Sequence, residues 1–91
     1  MPHVSVTVKN NKTPIIQYFS LDWDGGHLET NRFYENQSET LSADIPDGAT
    51  VTVRIYKLIV SWDGIWEGAY PVDRVPSCLE ISDLGQRVSV C

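Results

Sequence analysis

Apolar and polar residues alternate with a period of two along much of this chain, the spacing of strands that bury one face. From His3 to Lys9, Val4, Val6 and Val8 fall on one side and Ser5, Thr7 and Lys9 on the other. Asn10-Asn11-Lys12-Thr13-Pro14 is a turn cluster. Ile15 to Asp22 then sets Ile15, Gln17, Phe19 and Leu21 against Ile16, Tyr18 and Ser20, with the aromatic and β-branched content that suits a pleated sheet. Trp23-Asp24-Gly25-Gly26-His27 reads as a turn, and no period is legible from there to about Glu39. Leu41, Ala43 and Ile45 alternate again, and Pro46-Asp47-Gly48 is a turn with proline second and glycine at its end. Thr50 to Leu58 is the clearest strand, with Val51, Val53 and Ile55 on one face and Thr52, Arg54 and Tyr56 on the other.

Ser61 to Gly68 reads as a loop or a tight aromatic hairpin, and Tyr70-Pro71-Val72 as a short edge segment, because proline is confined to sheet edges. Leu79–Ser82 and Arg87–Val90 form a closing hairpin around Asp83-Leu84-Gly85. No stretch of ten residues has helical spacing. Short strands punctuated by turns predict an all-β sandwich or barrel. Trp-Asp-Gly recurs at 23–25 and 62–64, but two copies are too few to close a propeller.

The length of 91 residues fits a single domain, 1–91, with a thin core. Its 42% apolar and 21% charged residues are a globular composition. The net charge is −5 and the seven Lys and Arg are scattered, so no phosphate-neutralising patch for nucleic acid is present, and anionic lipid holds no attraction. A neutral ligand or neutral lipid surface is compatible with this charge. No run approaches the roughly 20 apolar residues of a spanning helix. The N-terminal residues Met1-Pro2-His3-Val4 lack the charged and apolar regions of a signal peptide, which leaves both secreted and cytoplasmic locations open.

The two cysteines, Cys78 and Cys91, can bridge across the terminal hairpin, a closure of about 14 residues worth about 3 kcal/mol, or stay as free thiols in a reducing cell. Asn11-Lys12-Thr13 and Asn36-Gln37-Ser38 are glycosylation triplets, meaningful only on a secretory route. His3 and His27 are the only histidines, and no nucleophile–base or metal-ligand spacing accompanies them. No catalytic site and no cofactor are therefore expected. Asp22, Asp24 and Glu29 around Gly25-Gly26 offer oxygen ligands for Ca²⁺, or simply side chains that brace a turn.

The richest cluster is Val60 to Tyr70, where Trp62, Ile65, Trp66 and Tyr70 sit among Asp63, Gly64 and Gly68. The rings either plug one end of the core or form an exposed aromatic tip that stacks on a sugar or enters a lipid interface. Burying one exposed indole of about 150–250 Å² contributes at most about 4–6 kcal/mol, so several side chains must cooperate to bind tightly.

The order of these segments resembles the C-terminal β-sandwich, the membrane-recognition domain, of the thiol-activated, cholesterol-dependent cytolysins. The similarity runs from about Lys9 to Val90. It is carried by Tyr18-Phe19-Ser20-Leu21-Asp22-Trp23-Asp24, by Leu41–Ala49 with its Ile45-Pro46 strand end, and by Val51-Thr52-Val53-Arg54-Ile55 leading into Leu58–Trp66, where the family has its Trp-rich loop. Leu79–Leu84 sits at the family's last hairpin. The resemblance implies a two-sheet antiparallel sandwich of four strands per sheet with recognition loops at one tip. It also implies a non-catalytic binding module that contacts a membrane sterol, a glycan or a receptor protein. Trp62, Asp63, Ile65, Trp66, Asp83 and Leu84 would form the contact tip. The chain departs from the family in lacking the loop cysteine, in replacing adjacent tryptophans with Gly64-Ile65, and in carrying Asp83 where the family's sterol-contacting Thr-Leu pair has threonine. Two further readings are a secreted protein-interaction effector stapled by Cys78–Cys91 and a lectin-like glycan binder.

Overall fold

Each alternating run forms a strand, and the apolar sides of these strands face one another across two sheets. The computed structural model describes residues 2–11, 17–58, 62–82 and 87–91, with the backbone alone described at residues 58 and 62–65. The strands are β1 (His3–Asn10), β2 (Gln17–Trp23), β3 (Gly26–Glu29), β4 (Ser38–Asp44), β5 (Thr50–Leu58), β6 (Trp62–Pro71), β7 (Cys78–Ser82) and β8 (Arg87–Val90), with one 3-10 turn at Val72–Arg74. One sheet has the order β4-β1-β7-β8 and the other β3-β2-β5-β6. Among the described residues every strand pairing is antiparallel except β1 with β7. The fold is thus the all-β two-sheet sandwich that the pattern and the resemblance led us to expect.

The core follows the alternation. Val4, Val6 and Val8 of β1 and Leu79 and Ile81 of β7 meet Phe19 and Leu21 of β2 and Val51, Val53 and Ile55 of β5, with Phe33, Ile45 and Val72 closing the gaps. The β2–β3 hairpin turns on Asp24-Gly25, where Gly25 has φ +99°, a conformation that glycine adopts without a Cβ clash. The second turn is displaced by one residue from its sequence-based assignment. The Ala49 amide donates to the Pro46 carbonyl, so Gly48, at φ +79°, is the third residue of the turn and not the last.

Two expectations need correction. The stretch from Gly26 to Glu39 is not irregular throughout, because Gly26–Glu29 returns against β2 as β3. The segment 62–71 is one ten-residue strand, not a loop, and it forms the edge of its sheet, with Pro71 at its last position. Gly64 and Gly68 reside in that strand: Gly68 is roofed by the Trp66 ring and the Tyr70 hydroxyl, so the missing side chain makes room for two aromatic ones.

Candidate recognition surface

Strand direction decides which connections meet. β1 ends at Asn10 and β2 starts at Gln17, and the segment 33–37 ties these two points together. Gln17 and Phe33 exchange both backbone hydrogen bonds (3.0 and 2.8 Å), the Asn36 amide donates to the Asn10 carbonyl (2.7 Å), and the Asn10 amide donates to the Gln37 carbonyl (2.9 Å). β5 runs antiparallel to β2 and so finishes at this end, where β6 begins. β7 runs parallel to β1 and so also finishes here, where β8 begins. The strand ends that flank residues 59–61 and 83–86 therefore share one end of the sandwich.

Asp83 and Leu84 lie outside the described residues. The backbones of Trp62, Asp63 and Ile65 belong to β6, and their side chains lie outside the described set. Trp62 pairs with Leu58 and Asp63 with Lys57. The register then slips: Tyr56 faces Gly64 and Ile55 faces Trp66, which leaves Ile65 as the extra residue of a bulge. Bulges of this kind bend a strand and re-aim its side chains, often beside binding sites. Trp66 is half-buried and packs against the core, 6.5 Å from the Tyr70 ring. It supports the strand from the inner side.

The same end has a polar interior. Gln17 lies on the inward face of β2 with no exposed surface, and neither atom of its side-chain amide has a hydrogen-bond partner. Asn10, on the inward face of β1, is equally buried. Apolar residues fill the rest of the inner layer.

The outer face of the β3-β2-β5-β6 sheet carries a ladder of charges that the sequence did not reveal. Glu29 accepts from Nε2 of His27 (3.2 Å), Asp22 pairs with Nδ1 of His27, Arg54 donates to Asp22 (2.8 Å), and Arg54 also donates to Glu67 (2.6 Å). Burial pushes the Asp22 carboxyl up. The hydrogen bond and charge of His27, the Arg54 charge and the Ser20 hydroxyl together outweigh it, and the net shift is downward. His27 is raised, first by its bond to Asp22 and then by Glu29. Above this ladder Tyr18 stacks on Tyr56 with centroids 4.7 Å apart. Burial, then the neighbouring Tyr56 and Glu29, raises the Tyr18 phenol. The signal for the ladder was present in the outward register of Arg54 and Tyr56 on β5, but its partners depend on pairings distant in sequence.

Asp22, one of the three oxygen donors considered for Ca²⁺, is engaged by Arg54 and His27. Among the described residues no group of three or more His, Cys, Asp or Glu side chains is arranged to hold a metal ion, and no helix is long and apolar enough to cross a membrane. Cys78 and Cys91 form a disulfide that fastens the end of the chain to the start of β7, beside a hydrogen bond from the Cys91 amide to the Cys78 carbonyl. Comparison with protein-family models, with curated proteins and with solved structures finds no match to this chain.

Proposed function

We propose that this domain is a non-catalytic recognition module of cytolysin C-terminal type, which binds its target with the end of the sandwich where β5 passes into β6 and β7 into β8. The observation that carries this reading is topological: strand direction brings the ends that flank Trp62–Trp66 and Asp83-Leu84 to the same end of two different sheets. Trp62, Ile65 and Leu84 supply apolar contact, Asp63 and Asp83 set its polarity, and Trp66 braces β6 from behind. The charge of −5 favours a neutral membrane containing sterol over an anionic one.

The test is flotation with neutral phosphatidylcholine vesicles, with and without cholesterol. The wild-type chain is expected to float with cholesterol-containing vesicles, and Trp62→Ala to remain at the bottom of the gradient. Equal recovery with both vesicle types removes the sterol reading.

A second reading is favoured by the disulfide: a secreted protein-interaction domain, stapled for an oxidising compartment. A thiol titration of the native protein checks it, with no free thiol expected and two free thiols contradicting it.

A further inference from the structure

Between β3 and Phe33 the chain makes a feature that the tip does not use. Thr30 stands opposite Phe19, its amide donating to the Phe19 carbonyl (3.0 Å) and its hydroxyl accepting from the Phe19 amide (3.1 Å). Phe33 stands opposite Gln17 with a full pair of backbone bonds. The two residues between them, Asn31 and Arg32, therefore oppose the single residue Tyr18. This is the geometry of a bulge, which fixes where the side chains around it are presented. Both flanks are anchored. Thr30 is held by its two bonds, and the buried Phe33 ring packs edge-on to Phe19 at 6.5 Å.

A cleft of about 440 Å³ opens here, lined by Tyr18, Glu29, Thr30, Asn31 and Arg32, a size within the range of small-ligand sites. Half-buried Tyr18 lines it, with its ring held by the stack on Tyr56. Its rim offers a carboxylate that accepts, a guanidinium that donates, an amide that does both and a hydroxyl that does both. Glu29 is itself oriented by Nε2 of His27. A carboxylate on the rim of a chain of net charge −5 opposes a phosphate or other anion. A rim this polar opposes a lipid tail. Mixed donors and acceptors around an aromatic plate suit a neutral ligand with adjacent hydroxyls and an apolar ring face.

The geometry points to a saccharide-binding site in the cleft formed by Tyr18 and the Glu29–Arg32 bulge, on the outer face of the β3-β2-β5-β6 sheet. It is independent of the vesicle-binding reading above, because it uses other residues and another ligand class.

The test is an amide ¹H–¹⁵N titration of the full chain, into the millimolar range, with lactose, chitotriose, cellohexaose and mannotriose, and separately with inorganic phosphate. At least one sugar is expected to shift the amides of Tyr18 and of residues 29–32 saturably. Tyr18→Ala is expected to abolish those shifts while leaving the remaining spectrum in place, and Glu29→Gln to weaken binding by about fivefold, the difference between a charged and a neutral hydrogen-bond acceptor. Asn31→Ala, at an exposed position, is expected to weaken binding as well and serves as the test if Tyr18→Ala does not fold. Silence with all four sugars, a response to phosphate alone, shifts centred on residues 62–66, or shifts that persist in the variants would each overturn the proposal.

Discussion

At the residue scale, three side chains stand out because their surroundings oppose or exploit their chemistry. The Gln17 amide is enclosed without a partner, and such a group carries its desolvation penalty with nothing to offset it. Gln17→Leu is expected to raise stability by about 1 kcal/mol or more, seen as a higher denaturation midpoint in urea. A lower midpoint would mean that the amide is satisfied in solution. Gly68 lies under Trp66, and a Cβ there would come within 2.4 Å of the indole. Gly68→Ala must displace a ring that packs against the core, and is expected to cost about 1–3 kcal/mol in the same assay. His27 stands between Asp22 and Glu29. Its folded pKa is raised, so its stabilising effect is complete below the unfolded value of 6.5 and is lost as pH rises through the higher folded value. Asp22 is lowered, so its effect is present above the unfolded value of 3.8 and is lost as pH falls through the folded one. Both effects are complete only between those two unfolded values. His27 is half exposed, and solvent screening at its side of the pair keeps the effect small. The melting temperature is expected to fall by a few degrees at most from pH 6 to pH 9, and His27→Gln to flatten that limb. An unchanged slope in His27→Gln would place the titration elsewhere.

At the scale of elements, legibility tracked how local each signal is. β1 and β5 were readable because their valines and isoleucines alternate without interruption against polar residues. The closing hairpin β7–β8 was readable because its two runs flank Asp83-Leu84-Gly85, residue types that favour turns. β3 was hidden because only Leu28 of its four residues is a sizeable apolar side chain. Its pairing comes from the Asp24-Gly25 turn, and its continuation is anchored by Phe33, whose burial no local period announces. β6 looked like a loop because Asp63, Gly64 and Gly68 are turn formers. They are tolerated in this strand because the register slips at Ile65 and the aromatic rings of Trp66 and Tyr70 fill the space over Gly68. The parallel pairing of β1 with β7 joins distant parts of the chain and leaves no mark on the sequence of either strand. β8 is a four-residue edge strand with largely exposed side chains, so the Cys78–Cys91 bond is its main restraint. Reduction is expected to lower stability by about 3 kcal/mol, consistent with the 13-residue separation, and to make the β8 amides the first to exchange with solvent. Unchanged exchange in the reduced protein would show that the strand pairing suffices without the bond.

At the scale of the whole molecule, the sandwich measures 37 × 25 × 18 Å and its two ends differ. One end is closed by the Asp24-Gly25 and Pro46–Ala49 turns. The other gathers the ends of β1, β5 and β7, the segment 33–37 and a polar interior at Asn10 and Gln17. The aromatic stretch and the terminal hairpin were both visible in the sequence. Their convergence was expected from the resemblance alone, because it depends on the parallel β1–β7 pair, which neither strand's own pattern marks. Recognition at that end requires Trp62 to present its ring to a target, since Trp66 packs against the core. The most direct measurement is iodide quenching of tryptophan emission in Trp23→Phe/Trp66→Phe, which leaves Trp62 as the only indole, before and after addition of cholesterol-containing vesicles. Efficient quenching in solution that is suppressed by the vesicles is the predicted result. Emission that iodide cannot reach even in the free protein would contradict the account.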